Sequence, residues 1–240
     1  MNVLCVIPSR IGSTRIARKP LLPIQGIPMI QRVYENARRC PHFNTVVVAT
    51  DSEEIAQLIQ SIGGTAVMTD PHFQTGSDRV ASVAADHPEA HVVVNLQGDE
   101  PFMKPSMLEK LIHPYLAGDT PEMTTLASPL AQDDSSNPGI VKVVTDLQNN
   151  ALYFSRAAIP YLRTQPASIP VYHHLGLYAF RRDFLLHYRH LPQTPLELTE
   201  SLEQLRALEH GYKIRVCHTT EKTLEINTPE EWERAQHFKG

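Results

Sequence analysis

Short apolar runs rich in β-branched residues, at residues 3–7, 45–50, 65–68 and 92–96, alternate with stretches whose apolar residues recur at helical spacing. Those helical stretches cover residues 29–39, 53–62 and 77–85, with another following Pro105. A chain that alternates strand and helix in this way pairs its strands in parallel, because each return crosses over through a helix. Local signals agree: Ser52 or Asp51 can cap the helix starting at residue 53, and Gly63 and Gly64 can end it. From about residue 123 the rhythm changes. "MTTLASPL", "IVKVVTD", "ALYFS" and "HHLGLYAF" read as strands with few helices between them, and Pro160, Pro166 and Pro170 bracket a loop. The expectation is an α/β fold with a mostly parallel, mixed sheet flanked by helices, and a smaller β-rich lobe over residues 123–180. Helices return at 198–209 and 229–238, with a strand at 214–217. No flexible linker interrupts the 240 residues, which suits a single domain over 1–240.

Charge narrows the partners. Lys and Arg number 22 against 26 Asp and Glu, a net charge of −4, which argues against a broad nucleic-acid surface but leaves room for a small anionic ligand. The 3 cysteines, Cys5, Cys40 and Cys217, are widely spaced and include no CxxC, so they offer no zinc signature and suit a reducing compartment. The first residues enter a strand without a basic leader, and no apolar run is long enough to span a bilayer. A cytoplasmic location without membrane contact is expected.

In open parallel sheets the ligand sits beyond the carboxyl ends of the strands. Three such ends carry polar residues here: 9–19, Thr50 with Asp51, and 97–100. The first reads "PSRIGSTRIARKP", with Arg10, Arg15, Arg18 and Lys19 interleaved with Gly12, Ser13 and Thr14. Small residues let backbone N–H groups approach an anion and the cations neutralise it, which fits a polyphosphate. It is not a Walker A loop, since GxxxxGK[ST] is absent. A basic solvated loop is the plainer alternative. In "VVVNLQGDEP", Asp99 can be a solvated turn acid or a ligand for Mg²⁺, which prefers one or two carboxylates together with phosphate oxygens.

The blocks "IPSRIGSTRIARKPL", "VVVATD", "GSDRV", "VNLQGDEP", "ALYFSRAAIP", "HHLGLYAF", "LEQLR" and "NTPEEWE" run in this order along nearly the whole chain. Together they resemble the 3-deoxy-manno-octulosonate (Kdo) cytidylyltransferases, the CMP-Kdo synthetases of Gram-negative bacteria. The resemblance implies a nucleotidyltransferase-type fold and the reaction of CTP with Kdo to give CMP-Kdo and pyrophosphate, for lipopolysaccharide core assembly. It also implies Mg²⁺ and a homodimer, with the β-rich lobe at the sugar site and the dimer interface. Carried over by position, Arg10, Ser13 and Lys19 hold the CTP phosphates, with Arg15 in the same loop. Arg79 lies near the nucleotide, as does Gln97, and Asp99 binds magnesium. Arg10, Lys19 and Asp99 are thus the implied catalytic set. Arg156, His174, Tyr178, Glu203 and Gln204 match the sugar-acid pocket. An arginine fork for a carboxylate, with hydroxyl partners around it, is also what such an acid needs. His173 and Glu100 receive no role.

The chain departs from the family pattern at two places. Ala17 and Arg18 stand where the family commonly has Pro and Gly. Asn227, in "LEINTPEE", stands where the family has an aspartate that is a second magnesium ligand, so Asn227 would bring an amide oxygen without charge, and Glu225 is a nearby source of charge. A cytidylyltransferase for a related acid (8-amino-Kdo or a sialic acid) and a catalytically weakened nucleotide-binding protein are the competing readings.

Overall fold

The computed structural model describes residues 1–12, 16–73, 75–130, 134–161, 163 and 170–238. Strand β1 (Val3–Ser9) is buried throughout and lies at the centre of the sheet. A single 3-10 turn at Lys19–Leu21 and a separate two-residue hairpin, β2 (Pro23–Ile24) with β3 (Ile27–Pro28), lead into helix α1 (Met29–Arg38). The chain then runs through β4 (Thr45–Thr50), α2 (Glu53–Ser61), β5 (Thr65–Met68), α3 (Gly76–Ala85), β6 (Val92–Asn95) and α4 (Pro105–Leu116). Ser52 caps α2, and the Thr75 and Asp78 side chains form a reciprocal box at the start of α3.

The β-rich stretch expected as a smaller lobe over residues 123–180 is largely part of the main sheet. Strands β7 (Met123–Leu130) and β10 (Val171–Arg181) continue that sheet, because β10 pairs with both β6 and β7. Only β8 (Lys142–Thr145) and β9 (Ala151–Ser155) form a hairpin that branches from β10. After β10 come α5 (Arg182–Tyr188), α6 (Pro195–Glu200), α7 (Leu205–Glu209), β11 (Ile214–His218) and α8 (Pro229–Ala235). The sheet order is β11-β7-β10-β6-β1-β4-β5. β1 pairs in parallel with β4 on one side and β6 on the other, so the chain reverses its direction of travel across the sheet at β1.

Period-two alternation along β1 sends Val3, Cys5 and Ile7 into the core under α1, α2 and α4, and Leu4 and Val6 into the core under α3, α5 and α7. A smaller cluster of Ile24, Met29, Ile226 and Ala235 binds α8 to the β2–β3 hairpin.

The helix expected over 198–209 is not continuous. Ser201 adopts a left-handed backbone (φ 51°) that ends α6, and the Leu202 N–H turns back to the Glu197 carbonyl at 3.1 Å. The break buries Leu202 and Leu205 while turning Glu203 and Gln204 toward the sheet. The final helix also stops three residues before the expected 238, at Ala235.

Candidate active site

The exits of β1 and β6 meet at the reversal point, and a cleft of about 260 Å³ opens above them. Ser9, Arg10, Gly12 and Lys19 form one wall, Gln97, Gly98 and Asp99 another, and Thr75, Gly76 and Arg79 at the start of α3 a third. Gly98 permits the two exits to approach: a Cβ there would lie 3.1 Å from the Pro8 carbonyl oxygen. The two strand ends expected to carry polar chemistry are therefore brought together.

Lys19 is the pivot. Its ammonium donates to Asp99 Oδ2 at 2.8 Å and to the Ile226 carbonyl at 2.8 Å, and the Ile226 N–H donates to the Asp99 carbonyl at 3.1 Å. Residues far apart in sequence thus share one corner. Arg10 stands exposed on the rim. Ser13 and Arg15 lie outside the described residues. Arg79 is only 3% exposed; it reaches Asp51 Oδ2 at 3.3 Å and the Thr69 hydroxyl, and lies over the Phe73 ring. Asp51 also accepts from the Ile11 N–H at 3.3 Å, so one carboxylate ties the basic loop to Arg79.

Around Asp99 the acids crowd. Glu100 is 2% exposed and accepts from the Thr223 hydroxyl at 2.9 Å. Burial, then the charges of Glu225 and Asp99, push its pKa well up. Glu225 keeps part of its surface in solvent, yet desolvation by its neighbours and then the Asp99 charge also push it up. Asn227 donates from Nδ2 to Glu225 Oε1 at 2.5 Å and from its backbone N–H to Glu231 Oε2 at 2.6 Å. Among the described residues no three His, Cys, Asp or Glu side chains are already arranged as a metal cluster. The donors at this corner are nevertheless all oxygen, and three carboxylates, Asp99, Glu100 and Glu225, lie close together, so that the Asp99 charge raises the pKa of both glutamates beyond the effect of burial. A hard divalent ion such as Mg²⁺ fits that chemistry.

The residues matched to a sugar pocket converge on the α6–α7 corner. Tyr178 donates its hydroxyl to Gln204 Oε1 at 3.0 Å, and its ring lies 5.6 Å from that of His174. His174 packs edge-on against Phe154, and its Nε2 meets the Thr125 hydroxyl at 2.9 Å. Burial, then the neighbouring His173, hold its pKa down at about 3, so it is neutral. Burial pushes Glu203 up to about 7 against a lowering hydrogen bond from Ser77. Glu203 Oε1 and Gln204 Nε2 are buried without a hydrogen-bond partner among the described residues. Orphaned polar atoms in one corner cost stability unless something fills the valence, which suits a polyhydroxylated ligand.

Arg156 approaches the same corner from β9. Its guanidinium donates to the carbonyls of Glu200 (2.9 Å), Pro138 (3.2 Å) and Ser201 (3.4 Å), and its N–H donates to Glu200 Oε2 at 3.0 Å. Lys142, fully buried, holds the Arg156 carbonyl from the other side at 2.5 Å and also donates to Asn137 and Ile140 carbonyls.

Residue-by-residue reading placed Asp51 at a polar strand end and left Glu100 without a role, and it missed Ser77, Asn95 and Lys142. Of these three, Asn95 carried a signal, as a polar residue within an apolar strand.

Residues 4–214 match the family model described as Cytidylyltransferase. A 3-deoxy-manno-octulosonate cytidylyltransferase of Acaryochloris marina is 54% identical over 239 residues, covering 99% of this chain and 97% of that protein. Its counterpart in Synechococcus elongatus is 49% identical over 236 residues, covering 98% and 97%. Among solved structures, a CMP:2-keto-3-deoxy-manno-octonic acid synthetase complexed with CTP superposes with a TM-score of 0.94 at 39% identity, covering 99% of this chain and 98% of that one. A 4-diphosphocytidyl-2C-methyl-D-erythritol synthase from Anaerococcus prevotii shares the fold alone, at a TM-score of 0.65 and 13% identity. The reversal-point cleft, the corner of orphaned polar atoms and near-complete alignment with these proteins lead to one assignment: the chain belongs to the cytidylyltransferase family and, within it, to the 3-deoxy-manno-octulosonate cytidylyltransferases.

Proposed function

We propose that this protein transfers CMP from CTP to Kdo, releasing pyrophosphate, and that its product serves lipopolysaccharide core assembly. The observation that carries the reading is the cleft joining the β1 and β6 exits, with Lys19 and Asp99 paired at 2.8 Å across its mouth. The anomeric hydroxyl of the sugar attacks the α-phosphorus of CTP, the bond to the bridging oxygen breaks, and the pair of electrons leaves on pyrophosphate. Arg10 and Lys19 neutralise the departing phosphates, and Ser13 and Arg15 belong to the same loop. Arg79, pinned by Asp51, and Gln97 line the nucleotide side. Positioning and charge neutralisation are the protein's main contributions.

Asp99 and Asn227 would hold Mg²⁺, with Glu225 beside them. When bound, the ion supplies positive charge at the phosphate oxygens. Lys19 then exchanges its Asp99 contact for a phosphate.

On the sugar side, Tyr178, Glu203 and Gln204 offer hydrogen bonds to hydroxyls. Neutral His174 shapes the wall between Tyr178 and Phe154. Arg156 takes the sugar carboxylate by trading its weaker carbonyl contacts, those to Pro138 and Ser201, for a charged fork.

Pyrophosphate release measured across CTP, UTP, Kdo, 8-amino-Kdo and sialic acid tests the assignment. Turnover with CTP and Kdo, dependent on Mg²⁺, is the expected result; nucleotide binding without turnover of any acceptor would overturn it. Asp99→Ala should abolish most turnover at an unchanged Tm, and near-normal rates in that variant would remove Asp99 from the mechanism.

We also propose a cytoplasmic homodimer. Leu147, Leu152 and Tyr161 expose apolar surface on or beside the β8–β9 hairpin, which suits a subunit contact there. Sedimentation at a monomer's mass would refute the dimer. The cysteines are all free thiols, as a reducing compartment favours, and among the described residues no helix is long and apolar enough to cross a membrane. Cell fractionation tests the location.

A further inference from the structure

A chain of buried polar side chains runs beneath the cleft. Gln97 Nε2 donates to Asn95 Oδ1 at 3.0 Å, and Asn95 Nδ2 donates to the Ser77 hydroxyl oxygen at 3.2 Å. The Glu203 carboxyl is the next group beyond Ser77, whose hydroxyl holds its pKa below what burial alone would give. Asn95 is 0% exposed and Ser77 4% exposed, so neither can exchange these partners for water. The order of donors is set by the two amide hydrogen bonds: Gln97 gives an N–H to Asn95, and Asn95 gives an N–H to the Ser77 oxygen, so each carboxamide is held in one orientation. That leaves Asn95 its carbonyl oxygen for Gln97. Gln97, on the cleft wall, has then turned one N–H of its NH₂ group inward, which fixes the carboxamide plane and leaves its Oε1 for a ligand.

We propose that Asn95 and Ser77 are positioning residues that lock the Gln97 carboxamide with its acceptor toward the cleft, so that Gln97 selects a hydroxyl donor of the bound substrates and not a phosphate oxygen. The proposal rests on the cytidylyltransferase reading for its ligand and adds residues that touch no substrate. It also brings the nucleotide wall to the edge of the sugar corner, since Ser77 is close enough to Glu203 to affect its titration.

The test is a double-mutant cycle at pH 8, where Glu203 is largely ionised, using Ser77→Ala, Gln97→Ala and both changes together. Ser77→Ala should lower kcat/KM about tenfold, through a raised KM for the substrate whose hydroxyl meets Gln97, with little change in Tm. In the Gln97→Ala background the same change should do nothing further. Multiplying effects would show that Ser77 does not act through Gln97 and would overturn the proposal. A second readout is independent of turnover: the side-chain amide protons of Gln97 and Asn95 should exchange slowly with solvent, and those of Gln97 should quicken in Ser77→Ala. Exchange of the Gln97 amide at the rate of a surface glutamine in the unchanged protein would also overturn it. If the protein released no pyrophosphate from CTP and Kdo, the functional reading would fall while amide exchange would still decide the chain.

Discussion

Arg18 has φ 54° and ψ 31°, a left-handed backbone that favours glycine, and its side chain pairs with Glu54. A glycine at this place would adopt that backbone without strain, and the arginine accepts local strain in exchange for a cation at the loop. Asn227 is the second departure, and it stands beside Asp99 and Glu225. Its replacement by aspartate would add a carboxylate to a crowded corner. Without metal Asn227→Asp should lower Tm; with Mg²⁺ it should gain roughly 10- to 150-fold in metal affinity, as for one charge-assisted contact of about 1.5–3 kcal/mol. A magnesium titration followed by both Tm and pyrophosphate release measures this, and identical curves would remove Asn227 from the metal's surroundings. Lys19, Gln97 and Asp99 were legible as site candidates because each follows a strand, and strand exits converge in a parallel sheet. The roles of Asp51, Ser77 and Asn95 were not legible, even where their positions stood out, because a polar side chain acquires such a role only from a partner distant in sequence.

The corner between α6 and α7 shows what element-level reading misses. Spacing of apolar residues over 198–209 fits one helix, yet left-handed Ser201 divides it and turns Glu203 and Gln204 inward. The corner is held by Arg206, whose Nε donates to Glu197 Oε2 at 2.9 Å and whose Nη2 donates to Oε1 at 2.5 Å, with both side chains about 5% exposed. Glu197 Oε2 also accepts from the Thr194 backbone N–H at 3.2 Å, at the start of α6. Removing one member of a buried pair leaves the other charge uncompensated. Glu197→Ala should therefore cost roughly 3–5 kcal/mol. Urea unfolding reads it directly, and a loss below about 1 kcal/mol, the range of exposed pairs, would contradict the role given to this bond. The parallel strands, by contrast, were legible to within a residue or two, since each is a β-branched run bounded by turn residues.

Across the whole molecule, the raised pKa of Glu203 makes stability depend on pH. A buried carboxyl shifted from 4.5 to about 7 favours the protonated form in the folded state. Its contribution is complete below pH 4.5 and is lost as pH rises through about 7, reaching a difference of roughly 3 kcal/mol by pH 8. Glu203→Gln cannot ionise, so its Tm should gain on that of the unchanged protein between pH 5.5 and pH 8. A constant Tm difference across that range would show that Glu203 does not titrate in the fold. The sheet as a whole followed from alternation of strands and helices, but its antiparallel insertion did not. Which strand lies beside β6 depends on the register of β10 with both β6 and β7, and no local pattern encodes that choice.

Lys19 and Asp99 meet over the carbonyl of Ile226, near the end of the chain. A chain emerging from the ribosome folds from its N-terminus, so β1, β4 and β6 can assemble while the segment that closes this corner is still unmade. The nascent protein therefore carries a basic loop and an acidic turn without the strand of backbone that joins them. Synthesis itself thus times the site, which stays incomplete until Ile226 has been made and has folded back onto Lys19.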